Sequence, residues 1–487
     1  MKLPIKKSSI QSSRLNITYD ELLKLDFNQL KDWIDEIKSE LLKIWDEENI
    51  PPSIGKSESK IIKSFSKLKS YDLNRLWYED NNYPDYLGFI KNFTKMGSSV
   101  NQFFPHMLKT KLKGKSMYDW FSNDELSIPF RRTMVRALRL DGLYSFSSYL
   151  KVKNGENHSK FFQKWVSELN GNTGYWLEPQ KTPIPDENNP NLFLNTTDTK
   201  KLLKREILTS YDFRNSVEIN GQDETYGYMV RTYDKSENIF PNIIQIFRLG
   251  LGQPPVNFSP LTSRFIYEKW LGDYDQEHFN IYDSSMGWGG RLLGSLSSNL
   301  NTHYIGTDPN SNNFGCYESL GNWYNSKCNG KNTFHIFRCG SEVIRNDKEF
   351  QKYKGELDLC FTSPPYFDTE NYSDDETQSI HSFKTYKDWL SGFLNPTIKT
   401  CYDYLKPNRY MIINISDVKK NPSNYIPLEQ DTISLALNNG FQYISKVGMV
   451  MSRSIGLNPK EVKNNWFDES TMKDYKIEPI FFFKKES

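Results

Sequence analysis

From about residue 240 to the C-terminus, short apolar runs alternate with longer amphipathic stretches, and this alternation restricts the fold more than any other feature. Ile281-Tyr282, His303 to Gly306, Thr333 to Phe337, Leu357 to Phe361 and Tyr410 to Ile415 have strand length. Helical patterns separate them: one through Leu300, one through Lys327, and others at 342–352, 385–405 and 428–439, with further apolar segments at 441–451 and 478–483. A strand-like run from Ile243 to Phe247 comes first, then a helix from Ser259-Pro260 that carries Leu261, Phe265, Ile266, Tyr267 and Trp270. The pattern predicts an α/β fold: a largely parallel sheet with helices on both faces and ligands at the carboxyl ends of the strands.

The preceding half reads differently. Residues 26–48 form one amphipathic helical pattern, with Leu30, Trp33, Ile34, Ile37, Leu41, Ile44 and Trp45 on one face; Pro51-Pro52 ends it. A second pattern covers 58–69 around Ile61, Ile62, Phe65 and Leu68, and a third covers 130–140 with Arg131, Arg132, Arg136 and Arg139. Residues 1–150 are therefore expected to be mainly helical. Residues 151–240 hold a helical pattern at 158–169 and long polar segments such as Pro179 to Pro185, which mark a loop-rich connector. The third segment, 241–487, is the α/β domain.

Charge is informative through its distribution. The whole chain has 62 basic and 60 acidic residues, but residues 51–150 have about 16 basic against 9 acidic. Such a surplus is either a solvated face or a surface for phosphates. Lys109-Thr110-Lys111-Leu112-Lys113-Gly114-Lys115 is its densest part. No uninterrupted apolar run nears the ~20 residues that span a bilayer, and no apolar segment follows Lys2, Lys6 and Lys7, so a cytoplasmic protein is expected. The five cysteines have no paired spacing and no close histidine, which predicts reduced thiols and no metal site.

Two turns in the α/β region carry candidate chemistry. Asp283-Ser284-Ser285-Met286-Gly287-Trp288-Gly289-Gly290-Arg291 follows one strand and opens a helix, so its glycines permit a tight turn beside a helix N-terminus. About 25 residues on, Asp308 ends the next strand, where a carboxylate accepts both hydroxyls of a ribose. The glycines match neither a dinucleotide fingerprint nor a P-loop, which favours an adenosyl ligand without phosphates. Ser341 after the third strand is placed either to meet the adenine or to cap a helix. The second turn, Thr362-Ser363-Pro364-Pro365-Tyr366-Phe367, follows the strand 357–361. Its prolines leave carbonyls without ladder partners that can accept from an amine, and its rings can stack on a planar base; the plain alternative is a strand exit with packed aromatics.

Together, Asp283 to Gly290, Asp308 and Ser363-Pro364-Pro365-Tyr366 resemble the S-adenosylmethionine-dependent amino-methyltransferases of DNA, which act on adenine N6 or cytosine N4. The resemblance covers about 240–487 and implies a Rossmann-like methyltransferase sheet. Asn257-Phe258-Ser259-Pro260 resembles the family's additional cofactor-binding segment, and Pro479 to Lys484 its final strand. Asp283-Ser284 departs from the Asp-Pro of many relatives.

By this resemblance the cofactor is S-adenosylmethionine, held by Asn257, Phe258, Ser259, Asp283, Ser285, Gly287, Trp288, Gly289, Asp308 and Ser341. Ser363, Pro364, Pro365 and Tyr366 form the catalytic turn, in which the Ser363 side chain and the Pro364 carbonyl accept the amine protons. Tyr366 and Phe367 meet a flipped base. Ser363 leans toward cytosine N4, with adenine N6 kept open. Double-stranded DNA is the implied partner, gripped and read by 1–150, with 151–240 as a connecting or recognition region; a cognate restriction system is left open. C5 methylation of cytosine is disfavoured because no cysteine follows a proline. Asp374, Asp375, Glu376 and His381 are read as a loop flanking the site. RNA or protein-glutamine methylation is the enzymatic alternative, and an inactive nucleic-acid-binding protein of the same fold is the other.

Overall fold

The computed structural model describes residues 27–48, 57–92, 96–112, 115–126, 256–328, 330–368, 370–372, 375–421, 424–451 and 463–486, together with the backbone of 211–219 and 222–231 and the isolated positions 17, 21, 25, 94 and 130. The expected helices at 130–140 and 158–169, the polar segment 179–185 and the run Ile243 to Phe247 lie outside them.

Helices longer than one turn are α1 Phe27–Glu48, α2 Glu58–Ser70, α3 Met117–Ser122, α4 Pro260–Leu271, α5 Gly290–Leu296, α6 Phe314–Cys328, α7 Asn395–Tyr404 and α8 Leu428–Asn438. The strands are β1 Trp77–Tyr78, β2 Tyr86–Ile90, β3 Lys111–Leu112, β4 Tyr211–Ile219, β5 Gln222–Arg231, β6 Phe279–Asp283, β7 Thr302–Thr307, β8 Thr333–Phe337, β9 Leu357–Thr362, β10 Glu370–Asn371, β11 Leu405–Asn414, β12 Val418–Asn421, β13 Asn424–Ile426, β14 Phe441–Val450, β15 Asn465–Asp468 and β16 Lys473–Lys485.

Two compact units result, and they divide the chain differently from the expected boundaries at 150 and 240. One comprises Met1–Ile5, Lys56–Gly114 and Pro255–Ser487; the other comprises Lys6–Gly55 and Lys115–Pro254. The reason is strand pairing. β2 runs parallel to β14, with Phe89 beside Gly448 and Ile90 beside Met449, so residues 56–114 join the α/β unit although they precede it by more than a hundred residues. The expected helical N-terminal region is present as α1, α2 and α3, and between α2 and α3 residues 71–112 add short strands and 3-10 turns.

In the second unit, α1 buries Trp33, Ile34, Ile37, Leu41 and Trp45 on one face, as its periodicity requires. Trp45 meets Tyr118 and Phe121 of α3 edge to face, and Lys38 donates to the Asn123 carbonyl at 3.1 Å. The region expected to be loop-rich contains an antiparallel hairpin, β4 with β5.

In the first unit the sheet order is β1-β2-β14-β16-β11-β9-β6-β7-β8, with β15 attached to β16. From β8 to β11 every pairing is parallel. β16 is inserted antiparallel between β11 and β14. Alternate residues face opposite layers, so Ile281, Leu359, Phe361, Ile412, Ile480 and Phe482 pack into one core while Tyr282, Cys360, Met411, Ile413, Phe481 and Phe483 pack into the other. Helices α2, α4, α5 and α6 contribute to the first core and α7 and α8 to the second.

The helix expected at 342–352 is instead two 3-10 turns, Ile344–Asn346 and Phe350–Tyr353. Asp347 between them accepts the Glu349 and Phe350 amides and starts the second turn afresh. The chain leaves β6 outward to β8 and returns on the other side of β6 as β9. The order therefore reverses between β6 and β9, and the carboxyl ends of those two strands border the crevice where such sheets bind ligands.

Candidate active site

Asp283 ends β6 with no exposure. Its Oδ2 accepts Arg291 Nε at 2.7 Å and the Tyr304 hydroxyl; its Oδ1 accepts the Ser285 amide at 3.2 Å and the Thr362 hydroxyl at 3.0 Å. Arg291 also donates to the Ser285 carbonyl. A buried carboxylate so fully compensated has its capacity taken up by the protein. Asp283, through its side chain, and Ser285, through its backbone amide and carbonyl, shape the turn. Thr362 is the more telling partner, since it precedes Ser363 and ties the end of β9 to the end of β6.

The turn is held from behind. Gly287 and Gly289 take the left-handed conformation, at φ +57° and +70°. Asn257 donates to the Trp288 carbonyl at 2.6 Å and accepts the Gly290 amide at 3.1 Å. A Cβ on Gly290 would lie 2.1 Å from the Phe258 carbonyl, whereas one on Gly287 would meet nothing within 4 Å. The open side of the turn is therefore at Gly287. Phe258 stands edge-on to Phe361 at 5.4 Å, and Ser259 caps α4 by accepting the Thr262 amide, so both are packing or capping groups here. Trp288 is buried between Phe104, His106 and Tyr372, at ring separations of 5.9, 5.4 and 5.9 Å.

Asp308 meets this turn directly. Its Oδ2 accepts the Gly287 amide and its Oδ1 the Asn310 amide, each at 2.9 Å. Burial outweighs these donors and pushes its carboxyl up to about 6. Tyr317 adds a side-chain hydrogen bond to the same carboxylate, so Asp308 is held at the glycine turn from three sides. Ser341 is buried and shares a hydrogen bond with Thr397 of α7 at 2.7 Å.

At the second turn, Ser363 is half-buried, Pro364 buried and Pro365 half-buried. The Tyr366 hydroxyl donates to Glu478 of β16 and lies 3.5 Å from the Asn414 carbonyl at the end of β11. Phe367 departs from its expected role: it is 9% exposed and packs against Tyr386 and Trp389 at 5.4 and 6.1 Å. Its φ of +53° costs an aromatic residue ~1–2 kcal/mol, a strain met by that packing. The structure thus gathers Asn257, Gly287, Trp288, Gly289 and Asp308 at one turn and ties Ser363 to it through Thr362 and Asp283.

Sequence reading missed the wall made by 98–107. Asn101 accepts from Asn257 at 3.2 Å, and His106 Nε2 lies 2.6 Å from Asn313 Oδ1. Asn313 and Tyr317, one helical turn apart, both donate to the Gly287 carbonyl. The loop beyond the second turn contributes too, since β10 pairs with β3 and Asp375 accepts both the amide and the hydroxyl of Ser311. Burial pushes the thiols of Cys316, Cys328 and Cys339 up to about 11, the opposite of what a nucleophilic cysteine needs. Among the described residues no group of His, Cys, Asp or Glu could hold a metal ion, and no helix is long and apolar enough to cross a membrane.

The sheet, with its order reversing between β6 and β9 and helices on both faces, is a Rossmann-like α/β fold. More particularly, residues 357–487, from β9 through Ser363-Pro364-Pro365-Tyr366 to β16, match the N6/N4 methyltransferase family model, described as DNA methylase. Among solved structures the chain is similar to a protein assigned as a DNA modification methylase from Thermus thermophilus (18% identity, 30% of this chain and 50% of that one, TM-score 0.21). It is also similar to an S-adenosylmethionine-dependent methyltransferase from Methanosarcina mazei (12% identity, 47% of this chain and 99% of that one, TM-score 0.28). The chain thus spans half the length of the Thermus protein. No curated protein matches it.

Proposed function

We propose that this protein is an S-adenosylmethionine-dependent DNA methyltransferase acting on the exocyclic amine of a base flipped from the duplex. The observation that carries the reading is the Thr362-to-Asp283 hydrogen bond at the switch point. Through it, the turn able to accept an amine and the turn able to hold an adenosyl group are parts of one buried network. The family match over 357–487 supports the same chemistry.

In this reading Asp308 takes the ribose hydroxyls, Gly287 gives close backbone approach, and Asn257 fixes the turn. The cofactor brings an activated methyl on a sulfonium. Ser363 Oγ and the Pro364 carbonyl accept the two amine protons and turn the nitrogen lone pair out of the ring, so positioning and electrostatics do the catalysis. Tyr366 stacks on the flipped base. Ser363 favours cytosine N4 over adenine N6.

Grip on DNA and target recognition are assigned to residues 1–150, with 151–240 as a connecting or recognition region. Lys109 and Lys111 are exposed, and β3 pairs with the strand that leaves the catalytic turn, which supports phosphate contact at the site's rim. The proposal extends to a cytoplasmic location and a cognate restriction system.

Incubation of genomic DNA with methyl-labelled cofactor, then mass spectrometry of the nucleosides, tests it. N4-methylcytosine is the expected product, and N6-methyladenine would reassign the base. Parallel incubations with RNA and with protein acceptors address the alternative amines. No transfer to any duplex, with Ser363→Ala and Tyr366→Ala indistinguishable from the unaltered chain, overturns the reading.

A further inference from the structure

Between Ile477 and Phe483 the last strand reads Ile-Glu-Pro-Ile-Phe-Phe-Phe; every residue of the run is buried except Glu478, which is half-buried. Glu478 is the one charged residue in this run. A carboxylate there is costly without a partner, and a leucine would fill an apolar strand at no such cost. Its partner is the Tyr366 hydroxyl, which also lies 3.5 Å from the Asn414 carbonyl. The mount is firm on both sides. Asn414 Nδ2 donates to the Pro479 carbonyl at 3.1 Å, Asn414 pairs with Ile480, and Glu478 pairs with Met449. Tyr366 is therefore fixed at its base by the two prolines before it and at its tip by two strands of the sheet.

We propose that Glu478 is a positioning residue for methyl transfer: by holding the Tyr366 hydroxyl it sets the plane of the ring on which the target base stacks. This rests on the methyltransferase reading above. Glu478 touches neither base nor cofactor and acts through the tyrosine. A ring held at one end only would swing about its χ angles, and the amine would spend less time in line with the methyl donor. Cofactor binding at Gly287 and Asp308 is a separate contact set and is left alone.

The test uses the full chain with labelled cofactor and genomic DNA, comparing Glu478→Leu, Glu478→Gln, Tyr366→Phe and the Leu/Phe double variant. Losing a hydrogen bond to a charged acceptor predicts a fall in kcat of about tenfold to a hundredfold in Glu478→Leu and in Tyr366→Phe. The double variant is expected to be no worse than either single one, because both remove the same bond. Glu478→Gln, which keeps an acceptor, is expected to restore most of the rate. Cofactor Kd stays unchanged throughout. Should Glu478→Leu misfold, Tyr366→Phe, which keeps the ring, carries the test. Unchanged kcat in Tyr366→Phe, additive losses in the double variant, or a loss confined to cofactor Kd overturns the inference alone. Failure of the unaltered chain to methylate DNA, RNA or protein overturns the functional reading and the inference with it.

Discussion

Asp308 carries opposing demands. Buried, with a carboxyl at about 6 against an ordinary 3.8, it binds a proton more tightly folded than unfolded. Stability therefore falls as pH rises through that interval: the cost is absent below about pH 3.8 and complete above about pH 6, where it reaches ~3 kcal/mol. Asp308→Asn in the ligand-free protein should lose less stability between pH 4 and pH 6 than the unaltered chain, should melt lower at pH 4 because its Nδ2 cannot accept the second of the two backbone amides, and should bind cofactor at least tenfold more weakly. Thermal melts across that range and a calorimetric titration check both halves. Ser363→Ala should leave the melt within a degree or two and lower kcat ~10–100-fold, read by single-turnover methyl transfer. The place of Asp308 beside the glycine turn was legible, because it ends the strand after that turn. The partners of Asp283 and Ser341 were not, since Thr362 and Thr397 lie far away in sequence and only folding brings them close.

The glycine turn separates two effects at the level of the element. Gly290→Ala drives a methyl into the Phe258 carbonyl and Asn257, so it should destabilise the fold by ~1–3 kcal/mol and displace the turn. Gly287→Ala has room but needs a left-handed alanine, costing ~1–2 kcal/mol, and its methyl projects toward the open side. Cofactor affinity should fall more than stability in Gly287→Ala, and stability at least as much as affinity in Gly290→Ala; paired melts and titrations distinguish them. Strands β6 to β9 were legible from their apolar runs, and α1, α2 and α8 from their periodicity. The segment around 390 was less so. Pro396 lacks an amide and crowds the preceding turn, and the helix widens into a π-turn at Leu390–Leu394 before α7. The Ile344–Asn346 and Phe350–Tyr353 turns misled because two adjacent one-turn segments imitate a single helical period.

For the whole molecule, the unit that holds the site is discontinuous, and no composition change announces this. Residues 56–114 read as basic and amphipathic, which suits a separate domain; only the pairing of β2 with β14 reveals them as the sheet's edge. A fragment of 241–487 should therefore fail to fold cooperatively. It lacks Ile90, Val100, Phe103, Phe104 and Met107 and would bare the aromatics they cover, Tyr317 and Trp323 among them. Dye binding to exposed apolar surface and the absence of a sharp melt would show it. The same pairing sets a timetable for synthesis. Ile90 leaves the ribosome long before Met449 exists, and at ordinary elongation rates the gap is on the order of tens of seconds. Through that interval β2 has an unpaired edge, so yield in a cell should depend on holdase chaperones and on slow growth temperature more than on the stability of the finished protein.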